Sequence, residues 1–221
     1  MESIKTKELY DLTHTTAAEL LSECEYPFEA LPKIGAFILK LIEGLDKNEF
    51  ECKGENVWVS KSAKVAPTAS ITGPCIIEAG AEVRHCAFIR GNALVGKNSV
   101  VGNSTELKNV ILFDNVQVPH YNYVGDSVLG YKAHMGAGSI TSNVKSDKTL
   151  VVVKNGDKKI ETGLKKFGAM LGDCVEVGCG SVLNPGTIVG KNSQIYPLSA
   201  VRGVVKANSI YKKAGEVVTK L

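Results

Sequence analysis

From Val59 onward an aliphatic residue recurs at every sixth position: Val59, Val65, Ile71, Ile77, Val83, Ile89, Val95, Val101 and Leu107. Four residues after each of the first eight stands a small or short side chain: Ala63, Ala69, Cys75, Ala81, Ala87, Ala93, Ser99 and Thr105. The ladder resumes at Leu171, Val177, Leu183, Val189, Ile195 and Val201, with Val175, Ser181, Thr187, Ser193 and Ser199 in the second slot. A period of two would mark a strand and one of 3.6 a helix; a period of six fits neither. It is the signature of an all-β solenoid, in which three hexapeptides make one roughly triangular coil of ~18 residues. Aliphatic side chains fill the interior, small ones fit where the chain turns, and each coil pairs its backbone with the next. With the less regular middle (Leu112, Val118, Val124, Leu129, Met135) there are about 20 repeats, hence six or seven coils, in a prism on the order of 30 Å tall. The pattern does not give the handedness of the coil.

Residues 1–50 follow another rhythm. The stretch "LTHTTAAELLSEC" offers threonine caps before a short helix, and Ile34, Phe37, Ile38, Leu41, Ile42 and Leu45 recur at helical spacing. One apolar helical face needs a partner, either the solenoid or a neighbouring subunit. The open end of a solenoid also needs a cap, which these helices could supply. Residues 145–168 break the period and read as a lysine-rich excursion, a hairpin around "NGD". The solenoid domain is expected over 51–213, with the chain leaving the ladder from 203 and ending in a short tail, 214–221.

Composition narrows the picture. Aromatic residues make up only 6% of the 221 residues against 22 glycines, so the core must be built from small and β-branched side chains. A net charge of +3 is too weak to argue for nucleic-acid binding. No apolar run approaches the ~18 residues of a membrane span, and "MESIKTKELYD" is too charged for a secretory signal. The six cysteines show no CxxC or metal-ligand spacing and read as reduced packing thiols, so the cytoplasm is the expected compartment.

Positions one coil apart stack along an edge, and Arg90 and Lys108 are 18 residues apart. Two stacked cations repel each other unless they are solvated or share an anion. A solvated face is the plainer reading and a phosphate site the sharper one. His120 follows two hexapeptides beyond Lys108 and is expected in the same part of the prism, where a neutral imidazole could take a proton from an attacking amine or hydroxyl. His14 and His85 read as surface or packing residues. The zinc-binding β-solenoid hydratases use two histidines five positions apart; no pair among 14, 85, 120 and 134 has that spacing, so no metal is expected.

The stretch "ELKNVILFDNVQVPHYNYVGDSVLGYKAHMGAGSITSN" resembles the acetyltransferase domain of the bifunctional UDP-N-acetylglucosamine pyrophosphorylase/glucosamine-1-phosphate N-acetyltransferases, and in particular the archaeal-type sugar-1-phosphate nucleotidyltransferases with an acetyltransferase tail. The resemblance covers roughly residues 57–213 and implies a homotrimeric, left-handed parallel β-helix with active sites between subunits and acetyl-CoA as acyl donor. His120 matches the family's general base. Arg90 and Lys108 match its phosphate-binding pair, which turns that pair toward the anion reading, and Tyr123 matches its substrate-contacting tyrosine. Ala137 and Asn143 match acetyl-CoA contacts; a further coenzyme contact from the next coil falls on Cys179, where the family often has serine; Lys212 or Lys213 would meet the coenzyme phosphates. Lys148 would complete the phosphate site.

Two departures bear on specificity. The family's sugar-binding asparagine is His134 here, free to read another hydroxyl or merely to fill space, and an aromatic is replaced by Val144. No glycine-rich nucleotide-binding segment precedes the solenoid, and about 50 helical residues are too few for a nucleotidyltransferase domain. The expectation is therefore an N-acetyltransferase acting on a hexosamine 1-phosphate, without pyrophosphorylase activity, with a separate nucleotidyltransferase as a possible partner. An acyltransferase for another sugar acceptor and a non-catalytic trimeric scaffold are the rival readings.

Overall fold

A computed structural model describes residues 1–213 and 215–220. The ladder folds into a left-handed parallel β-helix, and each coil crosses three faces in turn. In the first coil these are Val57–Ser60 on face one, Lys64–Val65 on face two and Ser70–Thr72 on face three. The strands pair in parallel with the coil above, as in Val59↔Ile77, Val65↔Val83 and Ile71↔Ile89. Seven complete coils and part of an eighth are stacked this way.

From the second coil on, the regular corners are turned by a residue of positive φ, at Gly80, Cys86, Asn92, Asn98 and Ser104. Asparagine and glycine recur there because they tolerate the left-handed region best. The register then tightens. The corner between faces three and one loses a residue, with positive φ at Asn109 and Asp126, five positions after Ser104 and Tyr121. Strands Glu106–Leu112 and Tyr123–Leu129 consequently run through this corner, and pairing shifts from an offset of 18 (Leu107↔Ile89) to 17 (Lys108↔Gly125). This shift is why the middle of the hydrophobic ladder looks irregular.

Face one differs from the other two. Its strands are apolar at outward positions as well as inward ones, and Ile76, Leu94, Ile111 and Val128 are all buried. A strand apolar on both sides must be covered on both sides. The N-terminal segment is that cover: the helix Ile34–Glu43 lies across the strands Cys75–Ile77, Ala93–Val95 and Glu106–Leu112. Each covered aliphatic side chain contributes roughly 1.5–3 kcal/mol. Ring contacts extend the seam, Tyr10 against Phe113 (5.0 Å between centroids) and Phe28 against Phe167 (5.4 Å). Polar clasps fix its register: Asp173 accepts from the Asp11 N–H at 2.7 Å, the Asp173 N–H donates to the Leu9 carbonyl, and buried Glu78 accepts from the Thr16 hydroxyl. His14 stacks on Tyr131 with centroids 3.7 Å apart.

Three expectations are corrected. The helices line a face rather than an end. The end strands are met by antiparallel hairpins instead, Phe50–Gly54 with Val57–Ser60 at the start and Ser209–Lys213 with Glu216–Thr219 at the finish. The chain does not leave the ladder at 203, because Ile188↔Val204 and Ile195↔Tyr211 continue the parallel pairing and residues 216–219 form a strand rather than a tail. The helix Ala18–Ser22 has no side-chain cap; Thr15 accepts from the Ala17 N–H one turn earlier, holding the approach to the helix. The excursion is a hairpin, Val152–Asn155 with Lys158–Glu161, turning at Gly156 (φ 59°). Val151, Val153 and Phe167 bury it against the body.

Candidate active site

His120 ends the strand Gln117–His120 on face two, at the corner where the chain turns onto face three. The corner is rigid because of Asn122, which is only 2% exposed. Its Oδ1 accepts from the His120 N–H at 3.1 Å, and its amide donates to the Gly136 and Ser139 carbonyls at 2.9 and 3.1 Å. The Gly138 N–H donates in turn to the His120 carbonyl at 3.0 Å. The "GAG" turn is thus bonded directly above His120, while the His120 ring is exposed and has no hydrogen bond among the described residues. Ala137 stands between these bonds at the apex of the turn, and Cys179 continues the column, since the Gly180 N–H donates to the Ala137 carbonyl.

Arg90, Lys108 and Tyr123 lie on face three, outward on successive coils. The two cations do not stand alone. The Arg90 guanidinium bonds Glu106 at 2.7 Å, and Lys108 reaches both carboxylate oxygens of Asp126 at 3.2 Å. Glu106 holds Arg90 in its charged form above the ordinary range. Asp126, buried at the tightened corner, also accepts from Asn109 at 3.0 Å and Asn143 at 2.5 Å. Asn143 donates besides to the Tyr123 hydroxyl at 3.2 Å. Burial, and then the Asp126 and Glu106 carboxylates, push the Tyr123 phenol up, so it stays a neutral donor. Gly125 leaves room for the Tyr123 ring in this position, since a Cβ there would meet the Tyr123 oxygen at 2.5 Å. Donors remain for an incoming anion: Lys108 has a third N–H, and Arg90 uses one nitrogen of three.

The remaining sequence-predicted residues are more scattered. His134 is on face two, bonded through Nδ1 to Glu176 at 2.7 Å, in the sheet that also holds the His120 strand; neither histidine shares a face with Arg90 and Lys108, which corrects the placement expected of His120. The offset of 42 residues between these partners comes from the excursion, which sequence spacing cannot see past. Lys148 sits at a turn of positive φ with its side chain exposed, and among the described residues it joins no part of the cluster. Lys212 lies on the last coil, 3.6 Å from Glu216. Gly136 and Gly178 leave face two flat beside the corner, forming a groove of about 260 Å³ flanked by His134, Cys179 and Tyr196. Among the described residues no three His, Cys, Asp or Glu side chains converge as a metal site would need, and no helix is long and apolar enough to cross a membrane.

Four residues were not singled out from the sequence: Asn122, Glu106, Asp126 and Glu176. Asp126 is brought to Lys108 by the dropped corner residue, which sets Gly125 rather than Asp126 directly opposite it.

Residues 71–203 match the family model described as the GMPPB C-terminal domain. The chain is 35% identical over 185 residues to the "Bifunctional protein GlmU" of Methanococcus maripaludis, covering 75% of this chain and 45% of that protein. It is 29% identical over 175 residues to the "Bifunctional sugar-1-phosphate nucleotidylyltransferase/acetyltransferase" of Sulfurisphaera tokodaii, covering 71% and 43%. The chain thus spans less than half the length of these relatives. A solved hexapeptide transferase family protein from Anaplasma phagocytophilum superposes at a TM-score of 0.42 with 17% identity, over 75% of this chain and 80% of that one. With the repeat, the coil and the family match in agreement, the chain belongs to the GMPPB C-terminal domain family.

Proposed function

We propose that this chain is an acetyl-CoA-dependent N-acetyltransferase acting on a hexosamine 1-phosphate. The observation that carries the reading is the bonded corner: an exposed imidazole whose backbone Asn122 holds under the "GAG" turn, next to a face bearing two cations with donors to spare. The printed name of the Sulfurisphaera tokodaii relative, a sugar-1-phosphate nucleotidylyltransferase/acetyltransferase, supports acetyl transfer and a sugar-phosphate substrate.

Arg90, Lys108 and Tyr123 hold the sugar phosphate, with Asp126 fixing Lys108 and Asn143 in place. Acetyl-CoA lies along the flat glycine groove, its thioester near Ala137. The amine nitrogen attacks the thioester carbonyl while His120 takes its proton. The Ala137 N–H, which has no partner among the described residues, donates to the oxyanion as it forms. Collapse of the tetrahedral adduct expels the coenzyme thiolate, and no step uses a metal.

The rim is apolar where it should face a neighbour. Tyr121 (65% exposed) and Leu198 (85%) both project from the His120 corner. A homotrimer covering the rim from Tyr121 to Leu198 closes each cleft and brings face two of one protomer, with its His134–Glu176 pair, toward face three of the next. His134 then reads an acceptor hydroxyl, while Asn143 acts through Asp126 and Tyr123 within one protomer. Pyrophosphorylase activity is not expected of these residues, and a separate nucleotidyltransferase would consume the product.

The test is coenzyme A thiol release with glucosamine 1-phosphate and acetyl-CoA, with the product weighed by mass spectrometry. A gain of one acetyl group on the amine is the expected result. Acetylation only of another acceptor redirects the specificity, and no turnover over a broad amino-sugar panel favours the scaffold reading.

A further inference from the structure

The corner that carries His120 carries a second histidine two coils toward the start of the prism. His85 occupies the same turn position as Asn103 and His120, and Cys86 follows it with φ 58°. The His85 ring is bonded at both nitrogens: Nδ1 lies 2.7 Å from the Thr68 hydroxyl and Nε2 lies 3.1 Å from Cys86 Sγ. The Thr68 oxygen also accepts from the Cys86 N–H at 3.4 Å, closing a ring of contacts across two coils. The Asn103 amide and the Ser104 N–H donate to the His85 carbonyl at 3.1 and 3.3 Å, so the backbone beneath the pair is pinned. Glu82 and Arg84, just before it on the chain, are paired with each other. His85 and Cys86 are both exposed.

We propose that Cys86 is a nucleophilic thiol, activated by His85 and oriented through Thr68, and that it is a site of mixed-disulfide formation with low-molecular-weight disulfides. The geometry is that of nucleophile, base and orienter. With the thiol proton on His85, both ring N–H groups have acceptors, Thr68 Oγ1 and Cys86 Sγ, and Thr68 still accepts from the Cys86 N–H. No polar atom of the triad loses a partner when the proton moves from sulfur to ring.

The reaction balances without a further oxidant. Cys86 sulfur attacks one sulfur of the disulfide, a new S–S bond forms, and the original S–S bond breaks. The departing half leaves as a thiolate and takes the proton that His85 accepted. Cys86 is oxidised and the departing sulfur is reduced. The inference does not depend on the acetyl-transfer reading.

The chain carries its own controls. Cys52, Cys174 and Cys179 are exposed, whereas Cys24 and Cys75 are buried and report unfolding if they become labelled. The native protein is treated at neutral pH with glutathione disulfide, and in parallel with iodoacetamide, and each cysteine is followed by peptide mass spectrometry. Cys86 should react about tenfold faster than each of the three exposed controls. His85→Gln should lower the Cys86 rate about tenfold and leave the control rates unchanged, with Thr68→Val intermediate. A Cys86 rate equal to the controls in the unmodified chain, protection of Cys86 in the native assembly, or an unchanged rate in His85→Gln would each overturn the proposal. The first two readings need no variant, so they decide even if a substitution disturbs folding.

Discussion

Asn122 joins His120 to the coil above without touching its ring. One side-chain oxygen takes the His120 N–H at 3.1 Å, and the amide reaches the Gly136 and Ser139 carbonyls. The ring is free for chemistry because the backbone, rather than the imidazole, bears the positioning bonds. Removing this side chain strands the part-buried His120 N–H and the Ser139 carbonyl, while the Gly136 carbonyl keeps the Ser139 N–H and hydroxyl. Asn122→Ala should therefore cost about 2 kcal/mol in urea denaturation and lower acetyl transfer, mainly in kcat.

His120→Ala should lower kcat at least ~100-fold while KM for acetyl-CoA changes little, because a general base acts in the transition state rather than in binding. Turnover near that of the parent chain would remove His120 from the role of base.

Asp126 and Lys108 make a partly buried pair, with 6% and 25% of their side chains exposed. Lys108→Met leaves the carboxylate with only Asn109 and Asn143 and should destabilise by roughly 2 kcal/mol, less than a fully orphaned buried charge would cost. Adding Asp126→Asn should recover most of that loss, while affinity for a sugar phosphate stays impaired. A double-mutant cycle on stability and a binding titration separate the two effects.

Glu78 is raised above the usual carboxylate range by burial, against which the Thr16 hydroxyl and Lys97 act and to which Asp114 adds. Asp173 is raised by burial too, opposed by the Asp11 and Tyr131 N–H groups and by Lys191. A carboxyl whose folded value is raised binds its proton more tightly in the folded state, so stability is greatest when it is protonated. Stability should fall as pH climbs from the ordinary carboxylate value through the raised one. Glu78→Gln should flatten its share of that slope, by less than ~1.4 kcal/mol per pH unit. Denaturation midpoints from pH 4 to 8 read this directly; an unchanged slope would assign the dependence elsewhere.

The repeat made the solenoid legible, since a period of six has one structural solution and Val59 through Leu107 keep it without a fault. Face one was legible too, in hindsight: "CII", "ALV" and "VIL" leave no outward polar position for solvent. The acid partners of Arg90 and Lys108 were harder. Stacking by 18 gives the column a side chain occupies, but the lost corner residues at Asn109 and Asp126 change that offset locally. A single dropped residue moves Gly125 opposite Lys108 and swings Asp126 to where its carboxylate meets the ammonium. The face that His134 occupies was not legible for a related reason, because alignment to a motif gives a residue's neighbours along the chain and not the face it looks out from.

The excursion departs after Thr141 and rejoins at Ala169, and the coils on either side still stack, Tyr123↔Ile140 below and Ile140↔Val182 above. A corner can release and recapture the chain without altering the spacing of what it separates. Loop length is thereby uncoupled from catalytic geometry. Natural variation or an engineer could lengthen, shorten or exchange residues 145–168 to admit a different acceptor, while the imidazole and the turn above it keep their distance to the ångström.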